Sequence, residues 1–239
     1  MNDLLTFAIK SHGGQSRWAA IRAVTAEISI GGALWDLKGK TGILQDTRFD
    51  ADVHVQRATL GRFTAPDRHV RFTRDRLVLE TDAGVVIETR DNPRSAFVGH
   101  TPESSWDDLH VAYFSGYAMW TYITQPFLYA YQAFETREID PWEEEGEVWR
   151  RLEVTFPDYI ASHTRRQVSY FGPEGLIRRH DYAVDVLGGS AGAHYISDYR
   201  EFNGIVTPTR RQVFAMGANN LPVREALLVS IDVTSAQFE

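Results

Sequence analysis

From Trp106 to Phe134 the chain reads WDDLHVAYFSGYAMWTYITQPFLYAYQAF, with formal charge confined to the ends of the run. A helix that is apolar and aromatic nearly all round must be covered on most of its sides, so the rest of the chain has to enclose it. Asp107 and Asp108 suit the positive end of the helix dipole and mark the start. Pro126 is expected to kink or break the helix. The uncharged stretch rivals the roughly 20 residues of a membrane span. However, Ser115, Thr121, Thr124 and Gln125 interrupt it, and tyrosines stand where a span would carry Leu and Ile. The run therefore reads as a buried helix, without stable membrane insertion.

The flanking sequence supplies the envelope. Residues 3–22 start with helical spacing at Leu4, Leu5, Ala8 and Ile9, interrupted at Gly13-Gly14, after which Gln15 to Arg22 adds a short second helix. The period then becomes two: Val24, Ala26, Ile28 and Ile30 alternate with Thr25, Glu27 and Ser29, as in a half-buried strand. Beyond a bend at Gly31-Gly32, Leu34 to Leu37 is expected to continue the strand. Asp52 to Leu60 and His69 to Thr73 read as further strands. Arg76–Glu80 and Val85–Arg90 form a hairpin about Asp82-Ala83-Gly84. After an acidic surface segment at Pro141–Glu147, strand patterning resumes and runs to the end. Ala161–Phe171 is paired with Leu176–Val186 across Gly172-Pro173-Glu174-Gly175, a type I turn with a glycine bulge. No linker interrupts residues 1–239. The expectation is a single α+β domain, mostly antiparallel β, with an open half-barrel sheet wrapped around an aromatic helical insertion at 106–134.

Composition removes several functions. The 239 residues include no cysteine, which excludes disulfides, thiolate catalysis and thiolate metal sites. A net charge of -7 argues against nucleic acid as a partner. The first residues, Met1-Asn2-Asp3-Leu4-Leu5, lack a basic, apolar leader pattern, which gives a cytoplasmic expectation. The eight histidines show no HxH or HExxH spacing, so no metal site is expected. No cofactor motif occurs. Gly188-Gly189-Ser190-Ala191-Gly192 matches GxSxG but is followed by a strand pattern instead of a helix, so it reads as a turn.

The final third carries HYISDYREFNGIVTPTRRQV, with Tyr199, Gly204, Ile205 and Pro208, followed by LLVSIDV. With the hairpin at Asp82-Ala83-Gly84, this order of helix, strands, aromatic insertion and closing strands resembles the lipoprotein-carrier (LolA/LolB-like) fold. The resemblance spans the chain and extends to a group of bacterial proteins of unassigned function. It implies an apolar concave face that binds acyl chains or another greasy ligand.

Candidate chemistry centres on the 161–186 hairpin. A bulge at Gly175 sets even positions opposite even positions, so Arg166, Tyr170, Arg178, His180 and Tyr182 share one face, which its large rings direct inward. Without the bulge, His180 would stand opposite Gln167. Buried imidazole and guanidinium groups need partners. Polar groups converging on apolar walls are the usual pattern of a ligand site. His180 and Tyr182 are the candidates for acid–base work, and Arg178 for holding an anion. From the helix, Tyr113, Tyr117 and Trp120 are the ligand-binding candidates, because a tyrosine ring packs while its hydroxyl finds a partner. Three functions are compatible with this reading. The first is binding of a hydrophobic small molecule or lipid between sheet and helix. The second is a cofactor-free isomerase or cyclase in the same cavity. The third is a structural domain with a filled core, in which His180 and Arg178 are satisfied core groups.

Overall fold

The computed structural model describes residues 2–239. Thirteen antiparallel strands form one open sheet: β1 (Ala23–Gly31), β2 (Thr47–Asp52), β3 (Arg57–Gly61), β4 (Arg68–Thr73), β5 (Arg76–Thr81), β6 (Val86–Asp91), β7 (Glu135–Glu144), β8 (Glu147–Thr155), β9 (Arg166–Phe171), β10 (Ile177–Val184), β11 (Ser190–Phe202), β12 (Ile205–Met216) and β13 (Pro222–Phe238). Their order is β6-β5-β4-β3-β2-β1-β13-β12-β11-β10-β9-β8-β7. The chain thus winds outward from β1 to one edge, crosses to the other edge, and winds back until β13 closes on β1. Every other neighbouring pair is consecutive in sequence, and such antiparallel neighbours need only short turns.

The crossing from β6 to β7 carries the aromatic segment. Helix α4 (Asp108–Thr124) lies in the concave side of the sheet, with all sixteen residues from Leu109 to Thr124 buried. Asp107 caps it: its carboxylate accepts from the His110 N–H at 2.8 Å, while the His110 ring accepts from the Asp107 N–H. Arg90 holds the same carboxylate at 2.6 Å. Near the middle of α4 the helix comes so close to β4 that a Cβ on Gly116 would lie 2.6 Å from the Phe72 ring. The helix stops before Pro126, and a 3-10 turn follows at Phe127–Ala130, so the insertion is a helix and a turn in place of one element over 106–134.

Helices α1 (Asp3–Ser11) and α2 (Gln15–Ala20) precede β1, and Leu4, Leu5, Ala8 and Ile9 of α1 and Trp18 of α2 are buried in the core. Trp18 of α2 stacks on Phe127 at 4.2 Å, and its indole N–H donates to the Tyr131 hydroxyl.

Four expectations from the sequence give way to local chemistry. Asp52–Leu60 is two strands, because the Asp52 carboxylate accepts from the N–H groups of His54 and Val55 and folds the chain into a turn. Residues 34–37 are helical, as α3 (Ala33–Leu37), entered through Gly32 at φ 111°. A Cβ on Gly32 would lie 2.5 Å from the Leu228 carbonyl oxygen, so glycine is what lets α3 sit down on β13. The acidic segment 141–147 belongs to the β7–β8 hairpin, and Glu144 within it is buried. Residues 161–165 form a loop, with β9 starting only at Arg166.

Candidate functional site

The concave face is lined by the inward positions of the strands: Ile28 and Ile30 of β1, Ile231 and Val233 of β13, Val213 of β12, and Val184 of β10, all buried. Between this wall and α4 lies a cavity of about 70 Å³. Its helix side is Phe114, Ser115, Ala118, Met119 and Tyr122. Leu34 and Trp35 of α3 and Leu187 cover it further. Exposed Ser190 and Ala191 and half-buried Leu228 mark its mouth. The lining is almost wholly apolar.

One wall carries a polar cluster. The 161–165 loop inserts His163 between two helix tyrosines: Nδ1 stands 3.1 Å from the Tyr117 hydroxyl and Nε2 stands 2.7 Å from the Tyr122 hydroxyl. A neutral ring with one N–H suits this setting, donating to one phenol and accepting from the other. The Tyr122 hydroxyl also meets the Tyr182 hydroxyl at 2.8 Å, and the Tyr182 ring stacks on His163 at 4.2 Å. A second chain runs behind it, from the Ser169 hydroxyl to the Tyr129 hydroxyl at 2.7 Å, then to the Gln125 amide at 2.7 Å and to His180 Nδ1 at 3.1 Å. Arg211 of β12 donates from Nη2 to the Tyr122 carbonyl oxygen at 2.6 Å and lies over the Tyr122 ring.

Burial decides the protonation states. It pushes the His163 imidazole down to about 3, helped by the charge of Arg94. His12, at the end of α1, is pushed down to about 4 by burial, and its Nδ1 bonds the Ala8 carbonyl. Burial likewise lowers His180 and His194 well below the usual imidazole value, with the charge of Arg211 adding to the effect. The Tyr117, Tyr122 and Tyr182 phenols are raised by burial. The cluster is therefore a neutral hydrogen-bonded network, apart from Arg211.

The structure brings some of the candidate residues together and separates the rest. Tyr182 lines the cavity, and Tyr117 touches it through His163. His180 faces inward but sits behind Tyr122, outside the cavity lining, with its ring 5.0 Å from that of Tyr182. No hydrogen bond joins the two, and acid–base work in the cavity would fall to His163, Tyr122 and Tyr182. Tyr113 lies elsewhere on α4, against Phe72 and Phe97 and bordering an outer cleft with Arg74 and Arg94. Trp120 is fully buried and donates its indole N–H to the Asp52 carbonyl at 2.7 Å.

Arg166, Tyr170 and Arg178 do not share the inward face. The Gly172–Gly175 turn forms as expected, with Gly175 at φ 82° and Ile177 opposite Phe171. A second bulge then falls at Arg178, so Arg179 meets Tyr170 and His180 meets Ser169. Parity reverses on one strand only, as a bulge requires. Ser169 turns inward with His180, and Tyr170 turns to the opposite face. There the Tyr170 hydroxyl donates to Asp181 at 2.6 Å, beside a fully buried Arg179 that is paired with Asp181 at 2.7 Å and Glu144 at 2.9 Å. Arg178 pairs with Glu174 at 2.7 Å. The Arg166 side chain is 74% exposed and holds no inward position.

His163, Tyr122, Gln125, Ser169 and Arg211 are the cluster members that the hairpin reading does not supply. Among the described residues, no three His, Asp or Glu side chains are grouped to hold a metal ion, and no helix is long and apolar enough to cross a membrane.

The architecture is that of the LolA-like fold. It is similar to a LolA superfamily protein from Nitrosomonas europaea, with a TM-score of 0.54 and 10% identity over 99% of this chain and 92% of that one. It is also similar to a putative outer membrane lipoprotein-sorting protein domain from Vibrio parahaemolyticus, with a TM-score of 0.54 and 10% identity over 98% of this chain and 92% of that one. No protein-family model matches the sequence, and no curated protein is significantly similar to it.

Proposed function

We propose that this protein binds a hydrophobic small molecule or acyl chain in the cavity between α4 and strands β1 and β10–β13. The observation that carries the reading is the cavity itself, an almost wholly apolar space inside a cup of the LolA-like fold, with a mouth at Ser190, Ala191 and Leu228. The lipoprotein-sorting description of the Vibrio parahaemolyticus domain agrees with a greasy cargo for such a cup. At about 70 Å³ the cavity has room for the leading part of a chain, since about 10–15 Å³ of such space accommodates one water. Longer ligands enter by displacing α3, a five-residue helix that contributes Leu34 and Trp35 to the lining.

Titration with the neutral fluorophore N-phenyl-1-naphthylamine tests this. A saturable rise in emission is expected for the wild-type protein, and loss of it in Ala118→Phe, which fills the cavity from the helix side. Equal binding by the two proteins, with the circular dichroism spectrum unchanged, would place the ligand elsewhere.

A further inference from the structure

Among the described residues two arginines are enclosed, Arg179 and Arg211, and they are partnered differently. Arg179 is neutralised by Asp181 and Glu144. Arg211 is 3% exposed and makes no ion pair with any carboxylate among the described residues. It has one hydrogen bond, to the Tyr122 carbonyl, and its buried Nη1 has no partner. The groups whose titration it influences are His12, His180 and His194 and the phenols of Tyr122, Tyr129, Tyr182 and Tyr199, all neutral at neutral pH. His194 Nε2 is also buried without a partner. An enclosed charge without a counter-charge is strongly unfavourable. The ring of Tyr122 offsets only part of that, through cation–π attraction.

The position of the guanidinium relates this charge to the cavity. Met119 and Tyr122 line the apolar cavity on one side. On the other they line a second space of about 10 Å³, against Arg211, Thr207 and Pro208. Met119 is unbranched and flexible, so its rotation can join the two spaces. A space that holds about one water admits a carboxylate oxygen but not a tetrahedral phosphate head group.

We propose that Arg211 is the head-group site of the ligand, and that the ligand is an aliphatic monocarboxylate bound acid end first. The chain then lies in the cavity, and the carboxylate receives the free Nη1–H as a charge-assisted bond. The inference rests on the cavity-binding reading and adds the chemical class of what is bound.

Calorimetric titration with laurate, 1-dodecanol and dodecyl phosphate separates the two. Laurate is expected to bind the wild-type protein at least ten-fold tighter than 1-dodecanol, with dodecyl phosphate weakest. In Arg211→Met, which keeps the length of the side chain, laurate is expected to fall to the level of 1-dodecanol, whose own affinity holds. Arg211→Lys is expected to retain part of the preference. The comparison of ligands on the wild-type protein stands even if a variant fails to fold. Equal affinity for laurate and 1-dodecanol would overturn the Arg211 assignment and leave cavity binding intact. A laurate preference that survives in Arg211→Met would also overturn it. Binding of neither ligand would overturn both.

Discussion

Lowering the pH from 7 to 5 should destabilise this protein far more than an ordinary domain of its size. His12, His163, His180 and His194 are buried and held neutral, His12 down to about 4 and His163 down to about 3. In the unfolded chain each titrates near 6.5. Below that value the unfolded state takes up protons that the folded state refuses. The stability they support is therefore fully present above about pH 6.5 and is lost as pH falls, until about 4 for His12 and about 3 for His163. The slope is about 1.4 kcal/mol per pH unit for each imidazole. Between pH 7 and 5 His12 and His163 then cost about 2 kcal/mol each, against a usual total stability of about 5–15 kcal/mol, and His180 and His194 act in the same direction. Asp181 acts in the opposite sense, since burial raises its carboxyl, but it is one group against four. Urea unfolding followed by tryptophan fluorescence at pH 7, 6 and 5 reads this directly. The midpoint should fall steeply with an unchanged urea slope, and His163→Gln should flatten the pH dependence by about 1.4 kcal/mol per unit. Coincident midpoints at pH 7 and 5 would refute the buried neutral network.

Three further outcomes follow from the packing. Gly116→Ala places a methyl group against the Phe72 ring; overpacking costs about 1–3 kcal/mol and outweighs a helix-propensity gain of up to about 1, so the midpoint in urea should drop. Asp107→Ala removes the cap of α4 and the Arg90 contact, a loss of about 1–2 kcal/mol by the same assay. Burial raises the Asp107 carboxyl, but bonds from Arg90 and His110 outweigh this and lower it, so its contribution is present above the usual Asp value and lost as pH falls through the lowered one. Asp181→Ala leaves the enclosed Arg179 with one carboxylate instead of two and should cost about 3–5 kcal/mol, which thermal unfolding would show.

Much of the fold is legible in the sequence because its signals are local. The period of two in β1, the Asp82-Ala83-Gly84 hairpin and the uncharged run before Pro126 each point to the element that forms. What the sequence leaves open depends on register and on contacts far apart in the chain. The bulge at Arg178 has no turn residue to announce it, yet it sends Tyr170 and Arg179 to one face and Ser169 and His180 to the other. The sequence reads 161–171 as one strand, but 161–165 is a loop, and only the fold brings His163 between Tyr117 and Tyr122. Arg211 lies on a strand whose two faces look alike in sequence: Thr207, Thr209, Arg211 and Val213 against Val206, Pro208, Arg210 and Gln212. Alternation alone could not choose the inward set.

The most direct test of the account is a methyl-labelled NMR titration of the intact protein with 1-dodecanol. Ile30, Leu34, Val213, Leu228 and Ile231 surround the cavity, while Val85, Val86 and Ile87 lie exposed at the far edge of the sheet. The account predicts saturable shifts in the first set and none in the second. Shifts confined to the edge residues, or none at all, would contradict it.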